Sequence, residues 1–193
     1  FQRVTNMTQD YSYDYEWDIS YCYSNSNVLI NKLNICDYEL LIEAEREITS
    51  LRLAEIKNKY VKGKFNLSHL CSIHKAIFLD IYTWAGKLRT VNISKGNQFC
   101  LSDVLIVYSE EIFLKLKNEK YLIGTDQNNI FKKLSYYLSE INTLHPFREG
   151  NGRSQRIFIE YLANVAGYEV DFSDVTNEEM IVASADAFEM KYG

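Results

Sequence analysis

His145-Pro146-Phe147-Arg148-Glu149-Gly150-Asn151-Gly152-Arg153-Ser154-Gln155-Arg156 brings together a proton acceptor, a carboxylate, two glycines and three arginines, and it holds the chain's single proline. Pro146 disfavours helical dihedrals at the residue before it, so a helix arriving from the N-terminal side ends at or before His145. The imidazole then stands at a helix-to-loop junction, where an ordinary pKa of roughly 6.5 suits general-base work. Gly150 and Gly152 permit positive φ and let a ligand approach the backbone. Successive N–H groups there, with the start of the helix that follows, make an anion cradle. Arg153 and Arg156 lie one turn apart, a spacing that matches neighbouring phosphates gripped by guanidinium groups. Glu149 beside bound anions suggests a divalent cation, since magnesium takes one or two carboxylates plus phosphate oxygens.

The elements that must position this segment read as helices. Asp37 is a candidate cap for a helix to about Lys59 that turns Leu40, Leu41, Ala44, Ile48 and Leu51 to the core. Asn66 or Ser68 opens a second, whose stripe runs from Leu70 through His74 and Phe78 to Trp84, with Gly86 as its stop. Val91 and Ile93 alternate with polar residues before Lys95-Gly96-Asn97, which is hairpin chemistry. Helical spacing resumes from Ser102 to about Lys120. Asp126 caps a further helix through Phe131, Leu134, Leu138 and Ile141. Another follows the central segment towards Gly167, with Phe158, Tyr161, Leu162 and Val165 inward, and Thr176 or Asn177 starts the last. The expected fold class is mostly α, a helical bundle with one short β-hairpin. Residues 1–25, rich in tyrosine and acid, read as an N-terminal arm that packs on the body or contacts a partner or second subunit, and residues 26–193 as the domain.

Composition narrows the functions. The 193 residues carry a formal charge of −5, which offers no global field for nucleic acid. Four separated cysteines without a C-x-x-C pair read as thiols of a reducing compartment, and no apolar run suggests a membrane span; the expected location is cytoplasmic. His69, Cys71 and His74 lack the second ligand pair of a zinc site. Gly86-Lys87 lacks the preceding glycine of a P-loop.

The twelve-residue segment resembles the Fic motif, H-x-F-x-[D/E]-G-N-G-R-x-x-R, with every fixed position filled. The likeness extends to Ile81–Arg89 and Asn92–Gly96, and is similar in pattern to the single-domain bacterial cell filamentation type. The resemblance implies a protein adenylyltransferase that moves AMP from ATP to a Tyr, Ser or Thr hydroxyl of a target protein. It implies that His145 is the base, that Phe147 anchors the loop, and that Glu149 holds Mg²⁺. Gly150, Asn151 and Gly152 would line the anion hole, with Arg153 on the β-phosphate and Arg156 on the γ-phosphate. The hairpin would be the flap that docks a target strand through Val91, Ile93, Lys95 and Gly96. The chain departs from the family where Phe99-Cys100-Leu101 replaces a Phe-Ala-Pro-like run, which bears on flap shape and target choice. Its only match to the start of an inhibitory [S/T]-x-x-x-E-[G/N] helix is Ser12 to Glu16, followed by Trp17. The expectation is therefore that a separate antitoxin-like protein supplies the inhibitory glutamate, or that the enzyme is regulated by another route. Two alternatives are Doc-like phosphotransfer and a non-catalytic nucleotide-binding toxin module; the intact Gly152–Arg156 run favours AMP transfer.

Overall fold

In a computed structural model, the chain is described at residues 14–15, 20–95, 97–172 and 175. Helix α1 spans Tyr38–Asn58, α2 Leu67–Phe78, α3 Leu105–Asn118, α4 Gln127–Leu144 and α5 Asn151–Val165. Three short strands, β1 (Asp14–Tyr15), β2 (Ile93–Lys95) and β3 (Asn97–Gln98), form an antiparallel sheet in the order β1-β2-β3. The mostly helical class and the hairpin agree with the sequence reading. The helix expected from Thr176 lies outside the described residues.

Capping explains where the helices begin. Asp37 accepts from the Leu40 N–H at 2.9 Å, Asn66 from His69 at 3.0 Å and Asp126 from Asn128 at 3.0 Å, each satisfying an otherwise orphaned amide. Helix α5 lies against α2 and α4 and is buried along most of its circumference through Ile157, Phe158, Ile159, Tyr161, Leu162 and Ala163. Such a helix is a core element, and its first turn is therefore rigidly held.

Four apolar assignments and one helix end differ from expectation. In α1, Leu40 and Leu51 are 52% and 70% exposed. The inner face instead runs through Leu41, Thr49 and Ile56, with Glu45 between them turned to the site. Helix α2 ends at Phe78 rather than near Gly86. There Lys32 takes the next carbonyls, its N–H bonding Ile81 O at 2.7 Å and its ammonium bonding Leu79 O, so tertiary bonds replace helical ones. In α4 the core position belongs to Ile130 while Phe131 is exposed, and in α5 Val165 is exposed.

The turn following residue 20 belongs to the body. Tyr21 and Val28 are buried, and Ile30 N–H bonds Tyr21 O at 2.8 Å beside a Cys22–Leu29 bridge. A boundary at residue 25 falls inside this turn. Further upstream, Asp14 and Tyr15 pair with Ser94 and Ile93 of the hairpin.

Candidate active site

The loop between α4 and α5 gathers the central segment. His145 ends α4 in the left-handed region, at φ 42°, its N–H bonded to Ile141 O at 3.0 Å. The imidazole is buried, with Nδ1 3.2 Å from the Asn142 carbonyl. A carbonyl only accepts, so Nδ1 carries the hydrogen, and the lone pair of the neutral ring belongs to Nε2. Phe99 stacks on the ring at 3.7 Å and 15°.

Phe147 is fully buried and stacks on His74 at 3.9 Å. Asn151 staples the loop: its Oδ1 accepts from Phe147 N–H at 2.9 Å and its Nδ2 donates to Phe147 O at 2.7 Å. Both ends of that amide are occupied, so the Asn151 side chain shapes the cradle and only its backbone N–H faces the orphaned first turn of α5. Gly150 takes φ 80°, and a Cβ there would lie 2.2 Å from the Phe78 ring. Gly152 differs from the sequence expectation. It sits within the first turn of α5 without positive φ, and a Cβ would make only ordinary contact with Arg156 Nη1 at 3.5 Å.

The three arginines divide. Arg148 turns away from the cradle, its guanidinium 5.8 Å from the Tyr21 ring centroid. Arg153 donates to Glu45 at 2.6 Å and to Thr49 at 3.2 Å, lies 3.4 Å from Glu149, and covers the Phe78 ring at 4.6 Å. Burial opposes its charge, but the Glu45 and Glu149 carboxylates outweigh burial and raise its pKa. Arg156 has no carboxylate at ion-pair distance among the described residues. Burial and the neighbouring Arg153 lower its pKa.

Glu149 Oε1 accepts from Gly150 N–H at 2.7 Å, while its Oε2 accepts no hydrogen bond among the described residues. One partly exposed carboxylate beside a helix N-terminus matches the donor set that magnesium uses with phosphate oxygens. Both the metal and a nucleotide polyphosphate fit these residues.

Two further residues hold the loop, and neither was assigned a role from sequence. His74 Nδ1 accepts from Gly86 N–H at 2.8 Å and its Nε2 donates to the Glu149 carbonyl at 3.0 Å. Burial lowers its pKa to about 4. Above the unfolded value of roughly 6.5, His74 is neutral in both states. Below it the unfolded chain takes up a proton that the folded chain refuses until about pH 4, so stability falls across that window. The loss attributable to His74 is about 3 kcal/mol, and His74→Gln should flatten that part of the slope in urea unfolding at pH 7 and 4.5. Burial also lowers His69, whose rings bonds to Val61 O and Phe65 N–H make it a structural neighbour.

Arg89 clips the hairpin to the His145 loop. Buried at 2% exposure, it donates from Nε to His145 O at 2.8 Å, from Nη1 to Val91 O at 2.6 Å and from Nη2 to Cys100 O. Its own N–H bonds Pro146 O at 2.9 Å. Arg89→Ala should cost about 3 kcal/mol or more in urea unfolding, because it strands buried carbonyls at both hairpin ends and at His145. Of the residues expected to dock a target, Ile93 is buried and Val91 half-buried. Lys95 contributes backbone to β2, and Gly96 lies outside the described residues.

The Fic/DOC family model matches residues 64–163. The chain belongs to the Fic/DOC family. It is 40% identical over 164 residues to "Protein adenylyltransferase VbhT" of Bartonella schoenbuchensis, covering 84% of this chain and 34% of VbhT. The chain thus spans about a third of that relative's length. It is 39% identical over 160 residues to "Probable protein adenylyltransferase Fic" of Salmonella typhimurium, covering 82% of this chain and 78% of the relative. The Fic domain of a VirB-translocated effector from Bartonella quintana, solved with bound ADP, superposes with a TM-score of 0.83 at 28% identity, covering 89% and 87% of the two chains. BepC of Bartonella tribocorum, solved with AMPPNP, gives 0.84 at 25% identity over 93% and 92%. Among the described residues no helix is long and apolar enough to cross a membrane.

Proposed function

We propose that this Fic domain is a protein adenylyltransferase that moves AMP from ATP to a hydroxyl of a protein target. The supporting observation is that one loop ends in a buried imidazole with Nδ1 committed to Asn142 O and continues into the positive-φ Gly150 and the start of α5. The names of the relatives and the nucleotides bound by the neighbouring structures support the same reading.

His145 Nε2 takes the proton of the target hydroxyl as that oxygen attacks the α-phosphorus of ATP, and pyrophosphate leaves. The first-turn amides of α5 and Arg153 hold the β-phosphate, Arg156 the γ-phosphate, and Glu149 is the protein ligand to Mg²⁺. When bound, the metal neutralises phosphate charge near the reacting centre. Because the donors are set before the reaction, little reorganisation accompanies charge development. The side chains of Asn151, His74 and Arg89 orient this machinery without touching substrate.

Target docking is proposed on the hairpin by strand addition. The outer edge of β2 already carries Asp14–Tyr15, so a target strand takes the β3 edge or displaces β1. Removing residues 1–19 should raise the initial rate of target labelling if displacement is required, and leave it unchanged if the β3 edge is used. A separate antitoxin-like protein that brings a glutamate to Arg156 belongs to the same reading, as does a cytoplasmic site of action. The proposed reaction is tested by its small product. With a protein target present, pyrophosphate should appear in step with ATP loss, whereas ADP in its place would identify phosphoryl transfer.

A further inference from the structure

Glu45 lies on α1, 108 residues from Arg153, and its Oε1 accepts from Arg153 Nη2 at 2.6 Å. Its Oε2 accepts from the buried Tyr82 hydroxyl. The Glu45 side chain is only 14% exposed. Glu149 approaches the same Arg153 nitrogen but at 3.4 Å. Charge-assisted N–H···O bonds close at about 2.7–2.9 Å, so the bond to Glu45 is at full strength while the one to Glu149 is long and weak. Without Glu45, the nearest carboxylate to this desolvated guanidinium is Glu149. Shortening that long bond would tie the cation proposed for the β-phosphate to the carboxylate proposed for the metal and withdraw both from their ligands.

We infer that Glu45 is a positioning residue, braced by Tyr82, that aims Arg153 at the β-phosphate and keeps Glu149 open for its cation. The inference rests on the nucleotide reading above. It opposes another role for the same contact, in which Glu45 competes with phosphate for Arg153. The burial of Glu45 and its second bond to Tyr82 make it scaffold rather than a displaceable plug.

The two roles predict opposite signs. In titrations of the full chain with ADP or AMP in magnesium buffer, Glu45→Ala should weaken ADP binding about tenfold, the loss of one charge-assisted bond. AMP binding should stay within about twofold, because AMP offers no β-phosphate to Arg153. Glu45→Gln keeps an acceptor for Nη2 and should restore most of the ADP affinity. Tyr82→Phe, which leaves the carboxylate in place, should shift ADP in the same direction by a smaller factor, and it carries the test if Glu45→Ala fails to fold. Tighter ADP binding in Glu45→Ala would establish the competitor role, and equal weakening of ADP and AMP would reduce Glu45 to a structural residue. Unchanged ADP binding would also overturn the inference. Wild-type protein that binds ADP no more tightly than AMP would remove the Arg153 assignment itself, a failure distinct from the others.

Discussion

His145→Ala should lower AMP transfer by roughly 10²–10⁴-fold while nucleotide affinity changes little. Among the described residues, the imidazole's hydrogen bond runs to Asn142 O and not to the Gly150–Arg153 cradle. The ring is covered by Phe99, while the His145 backbone bonds Ile141 O and Arg89 Nε. Truncation therefore removes the proton acceptor and leaves the phosphate-binding groups tied through Asn151, Glu45 and His74. Removing the ring also uncovers Phe99, so loosening at the C-terminal end of the hairpin accompanies the chemical loss. His145→Asn, which restores some bulk without a base, separates the two effects: stability recovers and transfer does not. Nucleotide titration beside target labelling reads both quantities on the same protein.

Gly150→Ala is the second large effect, and it acts on binding. The position needs φ 80°, which costs an alanine about 1–2 kcal/mol, and its Cβ would meet the Phe78 ring at 2.2 Å. Phe78 is fully buried and stacks on His74, so it has little room to yield. The same ring lies under the Arg153 guanidinium, so displacing it moves the cation proposed to receive the β-phosphate. Together these should reduce ADP affinity by more than about tenfold and lower the melting temperature. Phe78→Leu in the Gly150→Ala background makes room for the methyl group and should recover part of the affinity, a coupling that a double-mutant cycle measures.

How much of this was legible in the sequence depended on contiguity. Within twelve residues, the proline, glycines, carboxylate and cations carry their own local rules. Pro146 does end α4, and Gly150 does need its glycine. Roles that depend on distant chain were not legible. Apolar spacing on α1 pointed Leu40 and Leu51 inward, yet the inner face there is polar because it meets Arg153. Glu45, Thr49 and Arg52 continue the stripe from Leu41 to Ile56 at helical spacing, a polar interval that could have marked a buried charge site. Arg52 in turn bonds Asp80 just beyond α2. His74 read as a core histidine, which it is, but only the fold brings the Glu149 carbonyl and Gly86 N–H to its two nitrogens. Gly152 gave a misleading signal, since a glycine next to a loop reads as a turn while here it is the second residue of α5. The pairing of Asp14–Tyr15 with the hairpin was beyond local pattern altogether, because strand partners far apart in sequence leave no periodic trace.

The central claim is that this loop delivers the α-phosphorus of ATP to a protein hydroxyl. The most direct measurement compares ATP labelled at the α-phosphate with ATP labelled at the γ-phosphate, each incubated with the full chain, magnesium and candidate target proteins. Label from the α position should become protein-bound and vanish in His145→Ala, with none transferred from the γ position. Protein labelling from the γ position, or tight ATP binding with labelling from neither, would contradict it.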